Sequence, residues 1–488
     1  MPNKAIKDIN WKFVYSEGHS LLMNDAFMLG FAGNLKIPGI LKTIIYINKK
    51  GFQKCHTSKD ELERVYKQGK IFFKESSRHK FQKEIAQQHK SFDNFWKEYK
   101  RMNMGSLSNK ELLDVFKRYV KNLMLMVGYY QVSGGRTFPI VEEYVKEKMS
   151  EYFNKNELEN RYSIVLTATD IDLLERENID LLKLKEKNNI NTKTLRNHAK
   201  NYAYLYLSTY DENKIFASLR ERIHELWKEA QSSKSYETKL KQKKKVLFNK
   251  QKKIMGKLKN EPELVDIIEF LRFQGIARWD YKEFFMGAEY KFLELFEEIA
   301  KRINIPMFEY LHSYRIKDTH NFLQKGIKVL KPERQKRLKI FIAFKDKGKE
   351  CFYSGKQAEE FEKKVFNIKK PLSKEVKGII ANPGKAVGKA HIILPKSFAH
   401  IQEALKDFKK GEVLITSMTQ PSLVTIMKKA VAIVTNSGGI TSHAAVLSRE
   451  IGIPCIVSTF TATEVFKTGD LIEVDANKGI VKIIKKIK

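Results

Sequence analysis

Between residues 432 and 454 the chain passes from a buried strand pattern through a glycine turn into a helix, and this segment limits the possible folds more than any other. Ala432-Ile433-Val434-Thr435 is a short apolar run, Asn436-Ser437-Gly438-Gly439 is a turn, and Thr441-Ser442-His443 opens a helix that Gly452 and Pro454 end. A strand feeding a helix within so few residues requires layered α/β packing. Short Val/Ile-rich runs near 387–393, 412–416, 455–457, 471–474 and 480–484 supply further strands, and helices fill the gaps. Residues 372–488 therefore read as a compact α/β unit, with a domain boundary near residue 372.

The same segment has the chemistry of an anion site with a nucleophile in it. Gly438 and Gly439 let the backbone turn tightly and approach a ligand closely. Thr441 and Ser442 place hydroxyls at a helix start, where unpaired N–H groups and the helix dipole favour a phosphoryl group. His443, in the first turn, can attack phosphorus as a neutral imidazole and carry the phosphoryl group on nitrogen. Taken alone, a histidine near a helix start is more often a structural residue that caps or packs the helix.

Upstream the pattern differs. From about 57 to 330 the apolar residues recur at helical spacing. Ser108 and Glu111 form a capping box ahead of Leu112, Phe116, Tyr119 and Leu123, which share one stripe. Further helices start near Glu263 and carry Phe292, Leu295, Phe296 and Ile299 ahead of Pro306. The Lys-dense stretch 240–259 reads as a solvated helix or mobile connection, with a polyanion contact as the alternative. Two short β-like runs flank a Lys-Gly turn within 339–355, and the first 50 residues hold a strand or two. Residues 1–371 thus read as a mainly helical region with a small β element, which binds an acceptor or docks a partner. Arg272, Arg278 and Lys282 interleave with aromatic residues and are candidates for charged contacts with a substrate, as is Arg136 after Ser133-Gly134-Gly135. Phe273, Ile276, Tyr281 and Phe284 follow a packing spacing. Neither His224 with Glu225 nor His312 with His320 has convincing metal spacing, so no metal site is expected.

At 488 residues the chain exceeds one ordinary core, and 42% apolar residues are enough to fold two to four domains. Lys plus Arg number 91 against 57 Asp plus Glu, a net charge of +34. That field attracts phosphorylated or carboxylated ligands. Lys is spread along most of the chain together with abundant Asn and Ile, which argues for skewed composition rather than a nucleic-acid groove. The three cysteines are scattered, the N-terminus lacks the apolar core of a signal peptide, and no stretch approaches the ~20 apolar residues of a membrane helix. A cytoplasmic protein with no membrane partner is expected.

The run GGITSHAAVLSREIGIP resembles the signature of the phosphohistidine swivelling domain of phosphoenolpyruvate-utilising enzymes, the family of phosphoenolpyruvate synthase, pyruvate phosphate dikinase and rifampin phosphotransferase. Asn382-Pro383-Gly384 through Gly388 resembles the family's opening turn. Met418-Thr419-Gln420-Pro421 resembles its M-T-x-P-D segment, with Ser422 where Asp is usual. Gly469-Asp470 through Gly479 resembles its closing hairpin. The resemblance spans 377–485 and implies that His443 is phosphorylated and carried between two remote sites. It implies phosphate contacts from Gly438, Gly439, Thr441 and Ser442, with Arg449 steadying the phosphate or forming a surface salt bridge. No nucleotide loop is read in the first 370 residues, and no barrel is expected after the closing hairpin. No bound cofactor is evident. ATP and Mg²⁺ are implied for an ATP-grasp or other phosphoryl-donor subunit on another chain, which would phosphorylate His443 for transfer to a small-molecule acceptor. The alternative is a non-catalytic, phosphorylation-dependent regulator.

Overall fold

Alternating apolar residues divide the N-terminal strands between two faces: Ile44 and Tyr46 join one buried cluster, Ile45 and Ile47 another. The computed structural model describes the chain apart from residues 1–5, 7–8, 33–34, 36, 133–135, 204–211, 286, 347, 367–373, 395–403, 405, 420–422, 440–441 and 488, and apart from the side chains of 17, 31–32, 156, 214, 279 and 282–283. β1 (Trp11–Gly18), β2 (Thr43–Lys49), β3 (Phe52–Ser58), β4 (Ile340–Asp346) and β5 (Lys349–Ser354) form an antiparallel sheet of order β1-β3-β2-β4-β5. The β2–β3 hairpin turns on Lys50 and Gly51, both at positive φ.

The two β-like runs of 339–355 are β4 and β5, and β4 inserts beside β2, with Ile342 opposite Ile47, and completes the N-terminal sheet. Arg315 reinforces the closure: its Nε donates to Asp25 Oδ1 at 2.8 Å, and it also pairs with Glu350 of β5. The pairing joins residues nearly 300 positions apart, which no local pattern reveals.

Between these strand pairs lies the helical body. Glu111 N–H donates to Ser108 Oγ at 3.3 Å, the Glu111 carboxylate accepts the Ser108 N–H at 2.8 Å, and helix Asn109–Val132 then buries Leu112, Phe116, Tyr119 and Leu123. Phe292 sits among the rings of Phe95, Trp96, Tyr99 and Tyr119 at centroid distances of 4.5–5.4 Å. Each such burial stabilises by roughly 1.5–3 kcal/mol. The Lys-dense stretch is helical as far as Lys257, in the helix Ser233–Lys257.

The C-terminal strands are β6 (Glu375–Lys377), β7 (Ile379–Asn382), β8 (Lys385–Ile393), β9 (Val413–Thr416), β10 (Ala432–Thr435), β11 (Cys455–Val457), β12 (Leu471–Asp475) and β13 (Ile480–Lys485). Their order is β6-β13-β12-β8-β9-β10-β11-β7, with β8 to β11 parallel. Leu414, Ile433, Cys455 and Val457 face the helices Val424–Lys429 and His443–Ile451, whereas Val413, Ile415, Val434 and Ile456 pack into a second cluster. The expected boundary near residue 372 lies outside the described residues. Among the described residues no helix is long and apolar enough to cross a membrane.

The two regions meet along β1, the edge strand of the first sheet. Ser437 Oγ donates to Val14 O at 2.8 Å and Ser417 Oγ to Ser16 O at 3.2 Å. These serines follow β10 and β9, so the loops at the carboxyl ends of the parallel strands, the usual place for ligands in such sheets, face the N-terminal region.

Candidate active site

Parallel pairing brings the loops after β9 and β10 together, and His443 lies between them. Gly438 has φ 124°, and a Cβ there would come within 3.0 Å of Ser442 Oγ, so glycine is required. Gly439 O accepts the Ser442 N–H at 3.0 Å. Ser442 is the N-cap, its Oγ accepting from Ala445 N at 3.4 Å, and His443 begins the helix. Asn436 braces the loop from behind, since its Nδ2 donates to Thr463 Oγ1 at 2.6 Å and its Oδ1 accepts the Thr463 N–H at 3.1 Å.

His443 is buried, and its Nδ1 lies 2.8 Å from Thr419 Oγ1. Thr419, also buried, belongs to the loop after β9. A hydrogen bond at Nδ1 fixes the ring plane and, where Nδ1–H is the donor, leaves the lone pair on Nε2.

The ring borders a cavity of about 390 Å³ shared by both regions. Met418, Thr419, Ser437, Gly438 and Ser442 line it from the C-terminal side. Phe13, Phe27, Tyr130, Arg136, Arg278 and Phe285 line it from the N-terminal side. The Arg278 guanidinium lies over the Tyr130 ring, 5.5 Å from its centroid, and its buried Nη1 has no hydrogen-bond partner among the described residues. Burial pushes the nearby Cys55 thiol up to about 12 against the opposing field of Arg136.

Residues 408–479 match the family described as PEP-utilising enzyme, mobile domain. This segment is a mobile domain of the phosphoenolpyruvate-utilising enzymes. A probable phosphoenolpyruvate synthase of Staphylothermus marinus is 53% identical over 106 residues, which are 22% of this chain and 12% of that protein. The phosphoenolpyruvate synthase of Aeropyrum pernix is 46% identical over 106 residues, again 22% and 12%. That of Aquifex aeolicus is 44% identical over 121 residues, 24% of this chain and 13% of that protein. The match thus spans about an eighth of these relatives' length. Among solved structures, aconitase X of Thermococcus kodakaraensis aligns with 23% of this chain and 100% of that chain at 17% identity, with a TM-score of 0.19.

Of the residues singled out in the sequence, the structure brings Gly438, Ser442 and His443 of the mobile domain together with Arg278 and Arg136 of the N-terminal region. Thr441 lies outside the described residues, as do Ser133-Gly134-Gly135, Gln420-Pro421-Ser422 and the side chain of Lys282. Arg272 is elsewhere, its Nε donating to Val165 O at 2.9 Å between helices. Arg449 does not line the His443 cavity. Its Nη1 donates to Ala381 O at 3.2 Å, burial lowers its pKa, and it borders a separate cleft of about 60 Å³ with Asp172, Lys244, Asp280 and Glu450. Thr419 is the site residue that reasoning from residue type passed over. Its signal was present in Met418-Thr419-Gln420-Pro421, but a lone threonine gains meaning only when β9 and β10 pair. Among the described residues no group of three or more His, Cys, Asp or Glu is placed to hold a metal ion.

Proposed function

We propose that this chain is a phosphotransferase component in which His443 carries a phosphoryl group and delivers it to a small molecule bound in the shared cavity. One observation carries the reading: a buried histidine at the first position of a helix, held through Nδ1 by Thr419, borders a cavity whose opposite wall supplies Arg136 and Arg278. In the first half-reaction the Nε2 lone pair attacks phosphorus, the donor P–O bond breaks with its electron pair on the leaving oxygen, and an Nε2–P bond forms. In the second, an acceptor hydroxyl oxygen attacks phosphorus, the Nε2–P bond breaks and its pair returns to Nε2. The hydroxyl proton leaves to solvent at the cavity mouth, where Glu63 is exposed. The arginines give the cavity a positive field that favours an anionic acceptor beside the phosphorylated ring.

On this reading the mobile domain swivels between the observed docking on the N-terminal region and a donor. The donor is a separate subunit of ATP-grasp or similar type, which would bind ATP and Mg²⁺. The resemblance to phosphoenolpyruvate-utilising enzymes supports this division. A cytoplasmic setting accords with Cys55, Cys351 and Cys455 all being free thiols.

The experiment is phosphohistidine detection by mass spectrometry under alkaline conditions, on wild type and His443→Ala purified from the native host. Phosphate on His443 of the wild type, and none on the variant, is expected. No phosphate even with donor enzymes and nucleotide supplied would end the carrier reading.

A further inference from the structure

The walls of the His443 cavity are of two kinds. One is aromatic: Phe285 packs between Phe27, at a centroid distance of 5.7 Å, and Tyr130, at 4.8 Å, and Phe13 continues the surface. The other is cationic, formed by Arg136 and Arg278. Arg278 lies against Tyr130, so the charged group directly adjoins the aromatic wall. Among the described residues its buried Nη1 lacks a hydrogen-bond partner, and so does Gln131 Oε1 on the same cavity, while Gln131 Nε2 is taken by Gly39 O at 2.8 Å. A buried donor on a cation and a buried acceptor both left unmet point to a ligand that supplies their partners.

Other charges do little to cancel the arginines. Glu63 lines the cavity only at its exposed edge, where it pairs with Lys59 at 3.4 Å. Glu142, in the field of Arg278, is pushed up to about 7 by burial, so near neutral pH it offsets only part of that charge. A planar guanidinium with an open edge matches a carboxylate or similar oxyanion. A cavity of about 390 Å³ is within the range of small-molecule sites.

We propose that the acceptor is an organic anion with an aromatic body, its acidic group on Arg278 and Arg136, its ring against Phe285 and Tyr130, and a hydrogen donor on Gln131 Oε1. This deepens the carrier reading by naming the substrate class and rests on it for the fate of the compound. Binding itself needs no phosphate on His443, so the two can fail separately.

The test is calorimetric titration of the full chain with 2-naphthoate and, in parallel, with neutral 2-naphthamide of the same shape. Naphthoate is expected to bind at one site per chain, roughly tenfold tighter than naphthamide. Arg278→Met should narrow the gap between the two affinities by weakening naphthoate more than naphthamide, and residual binding of naphthamide reports an intact fold. Phe285→Ala should weaken both. Equal binding of acid and amide to the wild type, or an acid preference undiminished by Arg278→Met, would overturn the proposal. An absence of phosphohistidine would defeat the carrier reading without touching these affinities.

Discussion

Helix His443–Ile451 borders two seams between the mobile domain and the N-terminal region, and they differ in kind. At its start, His443 faces a cavity of about 390 Å³ with Arg136, Arg278 and an aromatic wall. Farther along, Val446, Arg449 and Glu450 close on a cleft of about 60 Å³ lined by Asp170, Asp172, Asp280, Arg176 and Lys244. The first is roomy and basic, as a site for an anion must be. The second is narrow, with acidic and basic groups interleaved and partly dehydrated. One helix thus joins a place where a ligand enters to a place where the two regions grip each other.

The largest effect should separate the mobile domain from everything else. Ile433→Ala empties a fully buried position between β9 and β11 and should cost about 2–5 kcal/mol. Calorimetry should then show the C-terminal unit melting earlier while the N-terminal transition holds. A single shifted transition would mean that the seams bind the regions into one cooperative body.

Next comes the histidine itself. Thr419→Val keeps the shape but removes the partner of Nδ1, and should slow phosphorylation of His443 roughly tenfold, the equivalent of about one hydrogen bond. A quench-flow time course would measure it, and an unchanged rate would deprive Thr419 of its positioning role.

The second seam should respond to pH. Burial raises Glu450, and burial with neighbouring Glu175 pushes Asp172 up to about 6, with Glu450 contributing. Groups raised in the folded state favour it when protonated, so their contribution is full at low pH and is lost as pH rises past the ordinary carboxylate range, for Asp172 through about 6. Glu450→Gln should therefore raise thermal stability more at pH 7 than at pH 5, by roughly 2–4 °C. An equal gain at both values would remove the titration argument. The smallest effect is expected of Ser437→Ala, which deletes the hydroxyl bonded to Val14 O and should loosen the docked arrangement by about 1 kcal/mol. Faster hydrogen exchange along β1 would register it.

The same contrast governs what the sequence discloses. Strands β8 to β13 and the helix at His443 are legible because short apolar runs, Gly438 and Gly452 are local signals. The capping box at Ser108 and Glu111 is legible for the same reason. β6 and β7 are not, being three and four residues long with exposed positions. The five-stranded sheet is hidden because β4 reaches β2 across almost the whole helical region. In the site, His443 and its glycines share one stretch of chain, while Thr419 and Arg136 acquire their roles only through tertiary pairing. Arg272 and Arg278 look alike in sequence. Six positions apart on one helix, one is committed to Val165 O and the other to the cavity.

The most direct measurement is ³¹P NMR of the phosphorylated protein with ¹⁵N-labelled histidine, which identifies the nitrogen that bears phosphorus. Because Thr419 occupies Nδ1, the phosphoryl group is expected on Nε2 of His443, where it can enter the shared cavity. Phosphorus on Nδ1, or on another histidine, would contradict the account.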